Sequence, residues 1–313
     1  MADPRWDVPQ TEEGLQTVLE RLAESRAAGD EEQVGWGLLA LAFQVIWVRS
    51  DNEEPPFVRC GTLATEALEI FRRIGHVKGQ IAAIHRLVPS LGPERKNQMV
   101  AEADRLAIAS GDEVLVARSL AAQARQLAMS DRAGASELAR RALEIFLRHD
   151  EKRSAAGCCF SLSIQLDDSR AKYEVAIQGA DLYRAVGDRK MAAHILSIAE
   201  MNGEEFMPYT DLEPIIRQEL EDAQAAGSRL REQAAYGHLA KLAAVKGDAE
   251  EAAKYLRWEK ELEEADGVTP KERHRANIAM TKEMIRMAKT SGNEETVKVF
   301  EEELKRLKKL HVK

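Results

Sequence analysis

Along nearly the whole chain, small or apolar residues recur at i, i+4, i+7 and i+11, as at Ala135, Ala139, Ala142 and Phe146, and polar residues fill the positions between them. That spacing lines one face of an α-helix and predicts amphipathic helices from end to end. No segment has the alternation of a strand. Breaks between helices fall at Gly29-Asp30, Gly111-Asp112, Gly187-Asp188 and Gly247-Asp248, with Gly75, Gly227, Gly267 and Gly292 at related sites. Glycine ends a helix in the left-handed region, and the aspartate carboxylate accepts from the free amides that open the next one. In ALEIFLRHDEKRSAA, His149-Asp150 stands where glycine is expected.

The equivalent breaks at 75, 111, 149, 187, 227 and 267 lie 36 to 40 residues apart, the length of a two-helix repeat. The wording repeats as well: ALEIFRRIG at 67–75 and ALEIFLRHD at 142–150 are near copies, and GADLYRAVGD at 179–188 is a third version. The pattern predicts an opening helix over 10–28 and seven helix pairs near 31–74, 77–110, 112–149, 151–186, 188–227, 229–266 and 269–312, as a single domain over 1–313. One helix pair cannot bury its apolar face alone, so neighbours must stack and share a continuous core. The ends then need caps. The opening helix supplies one; the last supplies the other, with Val297, Phe300, Leu304 and Leu307 facing inward and Glu301, Glu302, Lys305 and Lys308 outward.

Several repeats carry parts of a further pattern: Trp36, Leu39, Ala40 and Phe43 in the first, Tyr236, Leu239, Ala240 and Ala243 in the sixth, then the turn GDAEEA with Ala252. In the third, Ala117, Leu120, Ala121 and Ala124 are followed by Ala135, Ala139 and Ala142. On these residues the chain resembles the tetratricopeptide repeat family over about nine tenths of its length. Within the family it looks closest to the degenerate repeats of bacterial regulatory proteins and kinesin-light-chain-like arrays. It departs from the family in lacking most closing prolines, and its loops at 50–56 and 203–211 are long. The resemblance implies an all-α fold, an α-α superhelix or solenoid of about seven helix pairs with an extra N-terminal helix. It also implies that the first helix of each pair lines a concave groove.

Composition fits this picture and narrows the partners. Aromatic residues are only 5% while hydrophobic residues are 44%, a bias suited to helices that approach closely over a thin core. No apolar run is long enough for a membrane span, and the start MADPRWDVPQTEE lacks the basic end and apolar stretch of a secretory signal, so a cytoplasmic protein without a membrane partner is expected. The net charge is −8 and the cations are interspersed with acids, which disfavours nucleic acid. The basic end KRLKKLHVK is read as a soluble helix terminus.

The chemistry carried by the sequence is sparse. Seven scattered histidines make no His-Glu-x-x-His and no i, i+4 pair, and the phosphate-cradle and nucleophile-elbow motifs are missing. Cys60, Cys158 and Cys159 lack disulfide or zinc spacing and are read as small core residues. Asp167-Asp168 heads a helix and is read as a cap. No cofactor, metal or catalytic residue is therefore expected. The resemblance places Gln44, Arg118, Arg125, Arg153, Phe160, His194, Asn202 and Lys241 on the groove, a mixed surface suited to an acidic peptide or a carboxylate terminus. Trp36 and Trp47 are read as core, with an aromatic anchor as the alternative. Phe206, Met207 and Tyr209 look exposed in their long loop, a candidate lid or contact point. The leading expectation is a non-catalytic scaffold or adaptor that binds a protein segment. A ligand-responsive regulatory sensor is the alternative, and an enzyme built around His194, Glu200 and Arg153 comes third.

Overall fold

The computed structural model describes residues 6, 8, 11–47, 55–265, 278, 281–282, 285 and 294–309. Its helices are α1 (Glu12–Ala28), α2 (Glu31–Trp47), α3 (Pro56–Arg73), α4 (Val77–Leu87), α5 (Pro93–Ser110), α6 (Glu113–Leu127), α7 (Arg132–Arg148), α8 (Lys152–Gln165), α9 (Ser169–Ala185), α10 (Arg189–Gly203), α11 (Glu213–Ala225), α12 (Arg229–Val245), α13 (Ala249–Ala265) and α14 (Glu294–Lys309). Short 3-10 turns at Val88–Ser90 and Tyr209–Leu212 punctuate them. No strand is present among the described residues, and the class is all-α, with helices packed in consecutive pairs. No helix there is long and apolar enough to cross a membrane.

The breaks are built as their chemistry requires. Gly29, Gly75, Gly111, Gly187, Gly227 and Gly247 all have positive φ. After each Gly-Asp pair the aspartate accepts from the next helix: Asp30 from the amide of Gln33, Asp112 from Val114, Asp188 from Met191 and Asp248 from Glu251. At the break without glycine, Asp150 takes the left-handed conformation at φ 53°. Aspartate tolerates that region better than most residues do. Asp168 caps α9 through the amide of Ala171. Gly267, Gly292 and most of the first helix of the last pair lie outside the described residues. So do Val297, Phe300 and Leu307 as regards their side chains, while Glu302, Lys305 and Lys308 are exposed.

The chain divides into two compact units, Met1–Ala122 and Gln123–Lys313. The core of the first gathers Val18 and Leu22 of α1, Trp36 and Leu38 of α2, Phe71 of α3, Ile81 and Ile84 of α4 and Ala103 and Ala107 of α5. Phe71 is its hub. The ring is fully buried, with Trp36 at 5.0 Å, and it fills hollows left by two glycines: a Cβ at Gly35 or Gly79 would lie 2.6 Å or 2.3 Å from it. Trp36 is thus core; the side chain of Trp47 lies outside the described residues.

In the second unit the core is built mostly of alanine, with Ala156, Ala176, Ala180, Ala192 and Ala199 packed around Cys159, Ile195 and Leu196. A second cluster joins Leu212 and Ile216 to Tyr236, Leu239 and Tyr255. Contacts skip one element between α8 and α10 and again between α10 and α12, so the first helices of successive pairs share a layer. Two arginine devices tie neighbouring pairs. Arg132 donates to the carbonyls of Gln165 and Ile164 at 2.5 and 2.6 Å, a cation on the free C-terminal end of α8. The fully buried Asp222 of α11 accepts from Arg184 at 2.9 Å and from Arg189.

The glycines yield a paired prediction. Gly79→Ala should lower stability by about 1–3 kcal/mol, because its methyl group collides with a ring that cannot move. Gly157→Ala, in α8 with nothing within 4 Å of its Cβ position, should raise stability by about 0.5–1 kcal/mol. Urea unfolding midpoints check both, and equal shifts of the same sign would contradict this account of the core.

Candidate functional site

Within the second unit, one joint is packed with polar groups where its neighbours use alanine. It lies where α10 meets α12, with α11 and the turn Tyr209–Leu212 behind it. Glu200 of α10 and Glu219 of α11 are both buried, Glu219 completely. His238 of α12 sits between them: its Nδ1 donates to Glu219 Oε2 at 2.8 Å, and its Nε2 lies 3.8 Å from Glu200 Oε2. The Tyr209 hydroxyl donates to Glu200 Oε1 at 2.5 Å and lies 3.3 Å from the His238 carbonyl. One turn beyond, the exposed pair Lys241 and Glu204 form a salt bridge, with the Lys241 ammonium 4.2 Å above the Tyr209 ring.

Electrostatics follow from this burial. Loss of water pushes the Glu200 carboxyl up, against the Tyr209 hydroxyl and the charge of His238, which pull it down. Burial alone would lower His238, but the hydrogen bond it donates to Glu219 and the fields of Glu219 and Glu200 outweigh it and hold the imidazole above its ordinary value. For Glu204 burial also pushes up, and there the Lys241 bridge wins and pulls the carboxyl down. Burial and the bonded Glu200 push the Tyr209 hydroxyl well above the usual range. Among the described residues, the other oxygen of Glu219, Oε1, which is buried, has no hydrogen-bond partner. A buried acceptor without a partner costs about 1–3 kcal/mol, so this carboxylate relies on charges acting through space.

Six residues earlier on α10 the surroundings have a different character. His194 of α10 is half-buried, with the Phe160 ring of α8 edge-on at 5.2 Å. Burial, helped by the positive charge of Arg231 on α12, pulls its pKa down to about 4, so the ring is neutral at physiological pH. Arg231 is half-buried as well, and burial weakens its own hold on its proton.

The expected groove residues are distributed unevenly. Gln44 and Arg118 belong to the first unit and the other six to the second. Phe160, His194 and Lys241 come together along the α8, α10, α12 layer. Arg153 is exposed on α8 and pairs with Asp188 at 3.7 Å, and Arg125 is exposed on α6. Gln44 and Asn202 are interior residues instead of groove residues. Gln44 reaches the Val8 carbonyl at 3.4 Å, and Asn202 folds back onto the Ile198 carbonyl of its own helix at 2.7 Å.

The long loop differs from its sequence reading too. Phe206 is half-buried, edge-on to Tyr173 at 5.5 Å with Arg170 above it at 4.7 Å, while Met207 and Tyr209 pack onto the core. The cysteines are buried, and burial pushes Cys158 up to about 11 and Cys159 to about 12. Cys158 does have a cationic neighbour, Arg125, but desolvation outweighs it. Sequence reasoning had singled out Glu200 but not His238, Glu219 or Arg231. The residues of this site are spread over three helices, and the only local signal was a charged or polar residue on a face otherwise built of alanine and leucine.

No family model and no curated protein matches the sequence. Among solved structures, the apo form of RapI is similar over 80% of this chain and 92% of that one, with a TM-score of 0.50 and 15% identity. A circular tandem repeat protein with a novel repeat topology aligns over 95% of this chain and 89% of its own, with a TM-score of 0.31 and 18% identity. The likeness to RapI supports a helical-repeat fold.

The sign of the pH dependence is set by His238 and Glu200. A histidine held above 6.5 by its fold contributes stability that is complete below 6.5 and is lost as the pH rises through its folded-state value. Glu200, raised from 4.5, contributes a slope of the same sign. The urea midpoint should therefore fall as the pH rises from 6.5 into the alkaline range, and His238→Gln should flatten that fall. Identical pH profiles for the two proteins would refute the assignment.

Proposed function

We propose that the chain is a non-catalytic interaction protein that binds a protein segment on the layer formed by α8, α10 and α12. The observation that carries this reading is the company of side chains there. Phe160 and His194 lie ring to ring, Lys241 covers Tyr209, Arg153 is exposed on α8 and the half-buried Arg231 lies in the first turn of α12. Aromatic anchors next to arginine and a polar rim are the anatomy of a recognition surface. The groups that could do acid–base work are engaged with one another, Glu219 with His238 and Glu200 with Tyr209, and the buried thiols are kept protonated at neutral pH. That favours binding over catalysis.

A regulatory sensor is the second reading, favoured by the polar joint between α10, α11 and α12. Buried hydrogen-bonded groups depend on exact partners, so a ligand that alters one of them changes how firmly those helices hold each other.

Partner capture from the native cell should separate this surface from the rest. Arg153→Glu with Lys241→Glu, both at exposed positions of the layer, should abolish a partner that the wild type retains. Arg141→Glu, exposed on α7, should leave it bound. A partner kept by the double variant places binding elsewhere and ends this reading. For the sensor, the captured partner should change the radius of gyration of the chain in solution scattering.

A further inference from the structure

Helix α2 is apolar on every side: from Val34 to Val45 its one polar side chain is Gln44, and that is buried. Such a helix must be covered all round. The helices α1, α3 and α4 pack against it, and a short stretch ahead of α1 adds further cover. There the Trp6 ring is buried in the same core, where a Cβ on Gly37 would lie 2.7 Å from it and 2.9 Å from Leu22 of α1. The indole N–H donates to Gln33 Oε1 at 2.9 Å, and two residues on, the Val8 carbonyl accepts from Gln44 Nε2 at 3.4 Å.

Gln33, Gly37, Ala40 and Gln44 follow the i, i+4, i+7, i+11 spacing and so form one stripe of α2. The stripe has an amide at each end and small residues between. Glycine is unfavourable inside a helix relative to alanine, and here its benefit is room for a ring. Gly35 does the same for Phe71 on another side of α2. The two rings differ in how they are tied: Phe71 belongs to α3, in the middle of its helix pair, whereas Trp6 belongs to a stretch ahead of the first helix. One ring and the hydrogen bonds at its two ends are a small part of what holds a domain together, so this contact can open while the helices stay folded.

We propose that this stripe of α2 is a docking track for an extended segment bearing a tryptophan, and that Trp6 and Val8 occupy it from within the chain. A partner segment of the same chemistry binds by displacing them. Its indole fills the hollow at Gly37, the ring N–H meets the Gln33 amide oxygen, and a carbonyl two residues later meets Gln44. Neither glutamine is charged, so the track selects by ring shape and spacing, with the indole as anchor. The internal occupant lowers the affinity of any competitor in proportion to the time the track stands filled. The track belongs to the first unit and is independent of the layer formed by α8, α10 and α12.

The test uses the full chain carrying Trp6→Ala and a peptide of residues 4–10, acetyl-PRWDVPQ-amide, in isothermal titration. Emptied of its own ring, the track should bind this peptide about tenfold or more tighter than the wild type does. The same peptide with alanine in place of Trp6 should bind the variant about tenfold or more weakly. Adding Gly37→Ala should abolish binding, because its methyl group fills the hollow. Equal binding by wild type and variant, equal binding of the two peptides, binding that survives Gly37→Ala, or none at millimolar peptide would each overturn the track. If Trp6→Ala proves unstable, hydrogen exchange of the wild type decides alone. The Trp6 indole N–H, assigned with Trp6→Phe, should exchange about tenfold or more faster than the amides of α2. Exchange at one common rate would make Trp6 ordinary core and end the proposal.

Discussion

Close approach of helices at small residues is the constraint on which the rest of this protein depends. A helix pair has too little apolar surface to be stable alone, so each must share its face with the next pair. Ala156, Ala176, Ala180, Ala192 and Ala199 let this happen in the second unit by keeping the helices near one another with little side chain between them. In the first unit the same end is reached by a large ring lodged among glycines, Phe71 between Gly35 and Gly79. Both are forms of complementary packing, one with small groups on every side and one with a knob and its hollows.

A core this thin has a consequence for its polar residues. With few large apolar groups available, a joint between helices can be completed by hydrogen bonds and charge pairs where the alanine pattern is interrupted. The joint of α10, α11 and α12 is such a place. His238 holds Glu219 and faces Glu200, and Tyr209 closes the set. Buried ionic groups seldom increase stability over well-packed apolar ones. Their retention here agrees with a role in setting how α10, α11 and α12 are joined.

The arginine ties show the same economy at the ends of helices. Asp222 joins Arg184 of α9 and Arg189 of α10 to α11, and Arg132 holds the C-terminal carbonyls of α8. Each links successive elements through charge-assisted hydrogen bonds. They lie outside the site but keep its helices in place.

The sequence by itself determined the helices, their breaks and the all-α class, because these depend on neighbours within a turn or two: apolar spacing, a left-handed residue at the stop, an aspartate at the start. Even the irregular break at His149-Asp150 was legible, since aspartate can do locally what glycine does. Buried cysteines and the helix-capping Asp168 were legible for the same reason. Which polar residues would be interior was not. Gln44 and Asn202 read as groove residues and are buried, and Phe206, Met207 and Tyr209 read as exposed and pack inward. Only tertiary structure decided that Glu200, Tyr209, Glu219 and His238 meet. They lie up to 38 residues apart, and whether a charge is paired, buried or left over depends on what the next helix pair brings against it.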